Sequence, residues 1–225
     1  MKPFSAVLFD FDGVIAHTAP AFRQALWVFL REKEIHAVEE DFSENGNFTQ
    51  SLKQSIEFLK EKYGYDVDMA ELRARIGPLQ IELLDKHLEF DPSLMLFLEH
   101  CKHQNIPIAI GSNAFTERIT WVLEKMKIHE YFSVILGAGD IAHHKPDPEV
   151  WIRCAEELGV SLDNCIVIEN GLPGLVGAKT CGARGVYFHR FDRFDKACSE
   201  IAEKSVESFY DILASGAEKG SIPRV

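Results

Sequence analysis

Short apolar runs recur at residues 6–9, 106–110, 134–136, 165–168 and 185–188, and between them the apolar positions change period. Ile119, Val122, Leu123 and Met126 fall at helical spacing within residues 115–127, and Val150, Trp151, Cys154, Ala155 and Leu158 repeat the arrangement. Short buried runs alternating with amphipathic helices predict a parallel sheet joined by right-handed crossovers. Residues 10–105 are far more than one crossover needs, and their pattern is helical: Phe22, Leu26, Phe29 and Leu30 make one apolar face, Leu52, Ile56, Leu59 and Tyr63 another, and Leu72 and Ile76 continue it. Asp91-Pro92 breaks the pattern, and a return helix over 94–101 leads into the second strand. The expected fold class is therefore α/β: a Rossmann-like parallel sheet core over 1–16 and 89–225, with an inserted α-helical domain over 17–88.

Composition narrows the function classes. The 225 residues carry 24 basic and 35 acidic side chains, a formal net charge of −11, which argues against nonspecific binding to nucleic acid or to an anionic membrane. Asp10, Asp12 and Arg23 interrupt the apolar N-terminal thirty residues, so neither a signal-peptide core nor a membrane span is expected, and the predicted location is cytoplasmic. Cysteines 101, 154, 165, 181 and 198 form no C-x-x-C pair and read as reduced thiols. His143 and His144 are adjacent, which is not metal-ligand spacing. A monomer or weak homodimer is expected.

Candidate chemistry gathers where strands end. In V-L-F-D-F-D-G-V, Asp10 and Asp12 stand two apart and would project to one side of an extended strand, at the carboxyl end where open α/β sheets place ligands. Two carboxylates that close imply a bound cation, an acid/base division of labour, or a solvated turn. Gly111-Ser112-Asn113 offers a hydroxyl, an amide and backbone N–H groups at an expected helix start, which suits an anion and equally suits a cap. Lys145 sits in H-K-P-D-P, where two prolines make its position reproducible, in a loop able to approach the acidic pair. Glu169-Asn170-Gly171 supplies oxygen donors of the kind Mg²⁺ prefers, or an N-cap and turn.

Taken in order, V-L-F-D-F-D-G-V-I-A-H-T, I-A-I-G-S-N, H-K-P-D-P and I-V-I-E-N-G-L-P-G-L-V-G-A-K-T-C-G resemble the four signatures of the haloacid dehalogenase-like phosphohydrolase superfamily over residues 4–188. The helical insertion resembles the cap of its β-phosphoglucomutase and phosphoglycolate phosphatase branch. The resemblance implies a Mg²⁺-dependent phosphatase of a small phosphorylated metabolite, working through an aspartyl-phosphate. Asp10 would be nucleophile and Asp12 general acid and base. Gly13, Ser112, Asn113 and Lys145 would hold the phosphoryl group, and Asp10, the Asp12 carbonyl, Glu169 and Asn170 would hold the metal. Two positions depart from the branch. Asn170 and Gly171 stand where aspartate and serine are usual, which predicts weaker metal affinity, and the cap segment 46–52 lacks the arginine of the mutases. Alternatives are a phosphomutase, or a non-catalytic phospho-ligand-binding protein weakened in metal binding by Asn170. A receiver domain is disfavoured by the insertion, and a true dehalogenase by Asp12 and the phosphate-cradling turn. Arg23, Lys53, Lys60, Lys62, Arg73 and Arg75 are candidate readers of a second anionic group.

Overall fold

The computed structural model describes residues 4–42 and 52–216. The chain divides into two compact units, at His17/Thr18 and at Leu88/Glu89.

The larger unit is built on a six-stranded, wholly parallel sheet. Its strands are β1 (Ala6–Phe9), β2 (Ile108–Gly111), β3 (Val134–Leu136), β4 (Cys165–Glu169), β5 (Arg184–Phe188) and β6 (Lys204–Val206), in the order β3-β2-β1-β4-β5-β6. Registers such as Val7 with Ile108 and Leu8 with Val167 make β1 central, and all four of its residues are buried. A strand covered on both faces reads as an unbroken apolar run, which is why A-V-L-F shows no alternation. The second strand starts later than the run 106–110 suggested, because Pro107 has no N–H to give the ladder; its carbonyl still accepts from Val7 N at 3.1 Å. The edge strand β6 was not anticipated. Only Val206 of its three residues is buried, too little for an apolar signal.

Helices α4 (Leu94–His103), α5 (Thr116–Met126), α6 (Glu149–Leu158), α7 (Leu172–Thr180), α8 (Lys196–Ile201) and α9 (Phe209–Gly216) belong to this unit. Phe9 stands 5.9 Å from Phe97 and 5.8 Å from Phe209, ring centre to ring centre, tying β1 to α4 and α9. Leu8, Ala109 and Val167 pack with Trp151, Cys154 and Ala155 of α6. Fully burying a leucine or valine such as Leu8 or Val167 contributes roughly 1.5–3 kcal/mol. The five cysteines are free, and burial pushes the thiols of Cys101 and Cys154 up to about 12, so both act as small apolar side chains.

The smaller unit contains α1 (Ala19–Glu32), α2 (Leu52–Tyr63) and α3 (Met69–Lys86). Ala25, Leu26, Phe29, Leu30, Leu59, Leu72 and Ile76 form its core. Asp68 caps α3, accepting from Ala70 N at 2.8 Å and Glu71 N at 3.1 Å. Several candidate anion readers are already engaged here: Lys60 with Asp66, Lys62 with Asp41 and Arg75 with Glu32. Each of these three candidate readers thus already has a carboxylate partner within its own unit. The side chain of Lys53, and most of the segment 46–52 with its missing arginine, lie outside the described residues. No helix among the described residues is long and apolar enough to cross a membrane.

Candidate active site at the carboxyl end of the sheet

Asp10 follows β1 directly, and its N–H extends the ladder by donating to Ile168 O at 2.9 Å. That bond fixes Asp10 at the carboxyl end of the sheet, where it is 7% exposed. Lys145 meets it there. Its ammonium donates to Asp10 Oδ1 at 2.6 Å and to Glu169 Oε2 at 2.8 Å, with the lysine side chain 5% exposed. Glu169, the last residue of β4, turns its other oxygen back on its own chain, where Oε1 accepts from Asn170 N at 3.0 Å and Gly171 N at 2.9 Å. The start of α7 closes on this carboxylate so tightly that a Cβ on Gly174 would lie 1.8 Å from Glu169 Oε2.

Lys145 lies within the loop that follows β3, eight residues after the strand's end at Leu136 are passed, and not directly at a strand terminus as its motif suggested. Three contacts bring it in. Its N–H donates to Asn113 Oδ1 at 3.3 Å, its ammonium stands 4.2 Å over the Trp151 ring, and Trp151 Nε1 donates to Gly174 O at 3.1 Å. The indole face favours the cation and excludes water from it. Sequence reasoning placed Trp151 in the core for its period alone and missed this contact.

Ser112 is buried, with its N–H on Leu136 O at 3.0 Å and its Oγ accepting from Ala114 N at 3.1 Å. Helix α5 starts only at Thr116, behind Phe115 as N-cap. Ser112 and Asn113 therefore form a loop, correcting the expectation that they open the helix.

The two N-terminal aspartates do not share one partner. Strand β1 ends at Phe9, the chain turns through Gly13 (φ +79°), and the Asp12 carboxylate meets Arg118 of α5: Nη1 to Oδ1 at 2.7 Å and Nη2 to Oδ2 at 2.6 Å. Arg118 had no signal of its own in the sequence, since it pairs across 106 positions. Nor had Asp192, from the loop after β5, which accepts from Asn170 Nδ2 at 2.7 Å.

Electrostatically the inner cluster is two carboxylates against one ammonium. Burial, and next the charge of Glu169, push the Asp10 carboxyl up to about 7, against the lowering pull of Lys145. Burial works to lower the Lys145 ammonium, but Asp10 and Glu169 outweigh it and hold it above its ordinary value. A divalent cation fits this arrangement: Asp10 Oδ2 and Asn170 Oδ1 have no donor among the described residues, the donors are hard oxygens, and the cluster lacks positive charge. Glu169 would have to share oxygens already hydrogen-bonded. Among the described residues, three metal-ligating acidic, histidine or cysteine groups converge within 4.8 Å at His143, Asp147 and Glu149, on the surface. There Glu149 accepts from Ala142 N and His143 N, both at 2.8 Å, and Asp147 from Glu149 N at 2.9 Å, the hydrogen bonding of a helix's first turn.

Comparison with known proteins gives the family of the chain. The fructose-1-phosphate phosphatase YqaB of Escherichia coli is 27% identical over 188 residues, covering 81% of this chain and 95% of that protein. A phosphorylated carbohydrates phosphatase of Thermotoga maritima is 25% identical over 191 residues, covering 81% and 83%. The crystal structure of β-phosphoglucomutase from Clostridium difficile superposes with a TM-score of 0.75 at 23% identity, covering 94% of this chain and 96% of that one. The family model for haloacid dehalogenase-like hydrolases matches residues 4–182, and the chain belongs to that family.

Proposed function

We propose that the protein is a Mg²⁺-dependent phosphomonoesterase acting on a small phosphorylated sugar. One observation carries the reading: a buried lysine held between Asp10 and Glu169 at the carboxyl end of the sheet, with a second aspartate two residues on held by a separate cation. The names of the two phosphatase relatives support the substrate class.

In this reaction an Asp10 carboxylate oxygen attacks phosphorus and the bond to the sugar oxygen breaks. Asp12, which must first leave its pair with Arg118 and take up a proton from solvent, gives that proton to the leaving oxygen. Asp12, now a carboxylate, takes a proton from water as the water oxygen attacks the phosphoryl group on Asp10. The aspartyl bond breaks, inorganic phosphate leaves, and both acids are restored. Lys145 neutralises phosphoryl oxygens, and Ser112 and the Asn113 N–H orient them from the loop after β2. Asp10, the Asp12 carbonyl, Glu169 and Asn170 would hold Mg²⁺, which supplies charge neutralisation between nucleophile and phosphoryl group.

The test is a panel of phosphorylated sugars with Mg²⁺ or chelator. Phosphate release that needs Mg²⁺ and is abolished in Asp10→Asn is the expected result. Ligand binding without any release would replace this reading with a phospho-ligand-binding protein, and isomerised sugar phosphate without free phosphate would replace it with a mutase.

A further inference from the structure

Trp151 is fully buried in α6, and its ring reaches three of the segments that build the site. At one edge, a Cβ on Gly111, the last residue of β2, would lie 2.9 Å from Trp151 Cζ3 and 3.1 Å from Cε3, so the indole packs directly on the main chain that leads into Ser112 and Asn113. At the opposite edge, Nε1 donates to Gly174 O at 3.1 Å, and a Cβ on Gly177 would lie 3.4 Å from Cδ1. Gly174 is the residue that closes on Glu169, so the indole is bonded to the main chain packed against that carboxylate. Over the face of the ring stands the Lys145 ammonium, 4.2 Å from the ring centre, with its bonds to Asp10 at 2.6 Å and Glu169 at 2.8 Å.

Packing alone asks only for bulk at this position, not for an N–H aimed at one carbonyl and a π face turned to a cation. Lysine carries its charge on a flexible four-carbon stem, and burial works against that charge. A carboxylate that holds an ammonium also neutralises it. An indole face holds the ammonium with its charge intact, and the indole has no basic atom to take its proton.

We propose that Trp151 is a positioning residue for phosphoryl binding: its π face holds the Lys145 ammonium in place between Asp10 and Glu169, and its two edges fix that ammonium relative to the loop of Ser112 and the start of α7. This rests on the reading of Lys145 as a group that binds phosphoryl oxygens.

The test changes the electron density of the ring and keeps its shape and its N–H. Tryptophan analogues bearing one to four fluorines are inserted at position 151 of the full chain, and binding of inorganic phosphate is measured by calorimetry with Mg²⁺ in excess. Affinity is expected to fall with each added fluorine, about three- to thirtyfold across the series, as the ring face loses its hold on the cation. Trp151→Phe, which keeps a π face, should retain more phosphate affinity than Trp151→Leu, which keeps only apolar bulk. Affinity that does not change along the fluorinated series, or Trp151→Leu binding phosphate as well as Trp151→Phe, overturns the inference and leaves the phosphatase reading intact. A wild-type chain that binds no phosphate at millimolar concentration and releases none from the sugar phosphate panel overturns the phosphatase reading, and this inference with it.

Discussion

Arg118 occupies the third position of α5, where a cation opposes the helix dipole and costs about 0.3–1 kcal/mol. What offsets that cost is the two-pronged pair with Asp12, reinforced by the guanidinium lying 5.4 Å from the centre of the Phe11 ring. The arginine therefore serves the aspartate and not the helix. If Asp12 shuttles the proton, Arg118→Ala should lower kcat about ten- to a hundredfold while KM stays within about threefold, since a small misplacement of a reacting group costs that much. Steady-state kinetics decide it, and an unchanged kcat removes Arg118 from the machinery. Asp10 makes a prediction of its own. Its carboxyl, raised to about 7 from an ordinary 3.8, binds its proton more tightly in the fold than unfolded, so its contribution to stability is complete below 3.8 and is lost as pH rises through 7. In chelator, the wild type should melt at lower temperature at about pH 8 than at about pH 6, and Asp10→Asn, which cannot ionise, should show a smaller difference. Equal pH dependence in the two proteins would mean that the buried anion is compensated in some other way.

At the scale of elements, the approach of α7 to the end of β4 sets the site's geometry. Gly174→Ala would place a methyl group against Glu169 Oε2, forcing the carboxylate off Lys145 or the helix off the sheet. We expect a loss of about 1–3 kcal/mol in denaturant unfolding together with at least tenfold lower turnover. A fully active, fully stable Gly174→Ala would show that the packing is looser than the structure has it. The elements carrying Asp10, Ser112 and Glu169 were legible in the sequence because strands buried on both faces must be apolar runs, and the residue ending each run is thereby marked. Lys145 was legible through its two prolines, but not the indole beneath it. Trp151 repeats every fourth position like any core residue, and its face against the ammonium depends on how α6 lies on β2 and β3. Arg118 and Asp192 were illegible for a related reason: each is an ordinary charged residue in a helix or loop, and only the folded sheet brings it to its partner. Strand β6 escaped because an edge strand buries too little to need an apolar sequence.

For the whole molecule, a net charge of −11 sets a general repulsion against a dianionic phosphoester, and the basic groups nearest the nucleophile are committed to carboxylates. Screening should help. Between low and physiological ionic strength, kcat/KM is expected to rise a few-fold, the reverse of an enzyme that steers its substrate by attraction. A fall over the same range would reveal a positive field at the site that outweighs the molecular charge. The central claim, that Asp10 carries the phosphoryl group during turnover, has a more direct test. Protein quenched in acid during turnover of a substrate found in the sugar phosphate panel, then digested and analysed by mass spectrometry, should carry one phosphoryl group on the peptide containing Asp10, and Asp10→Asn should carry none. Turnover with no phosphoryl group on that peptide, or activity retained by Asp10→Asn, would contradict the account.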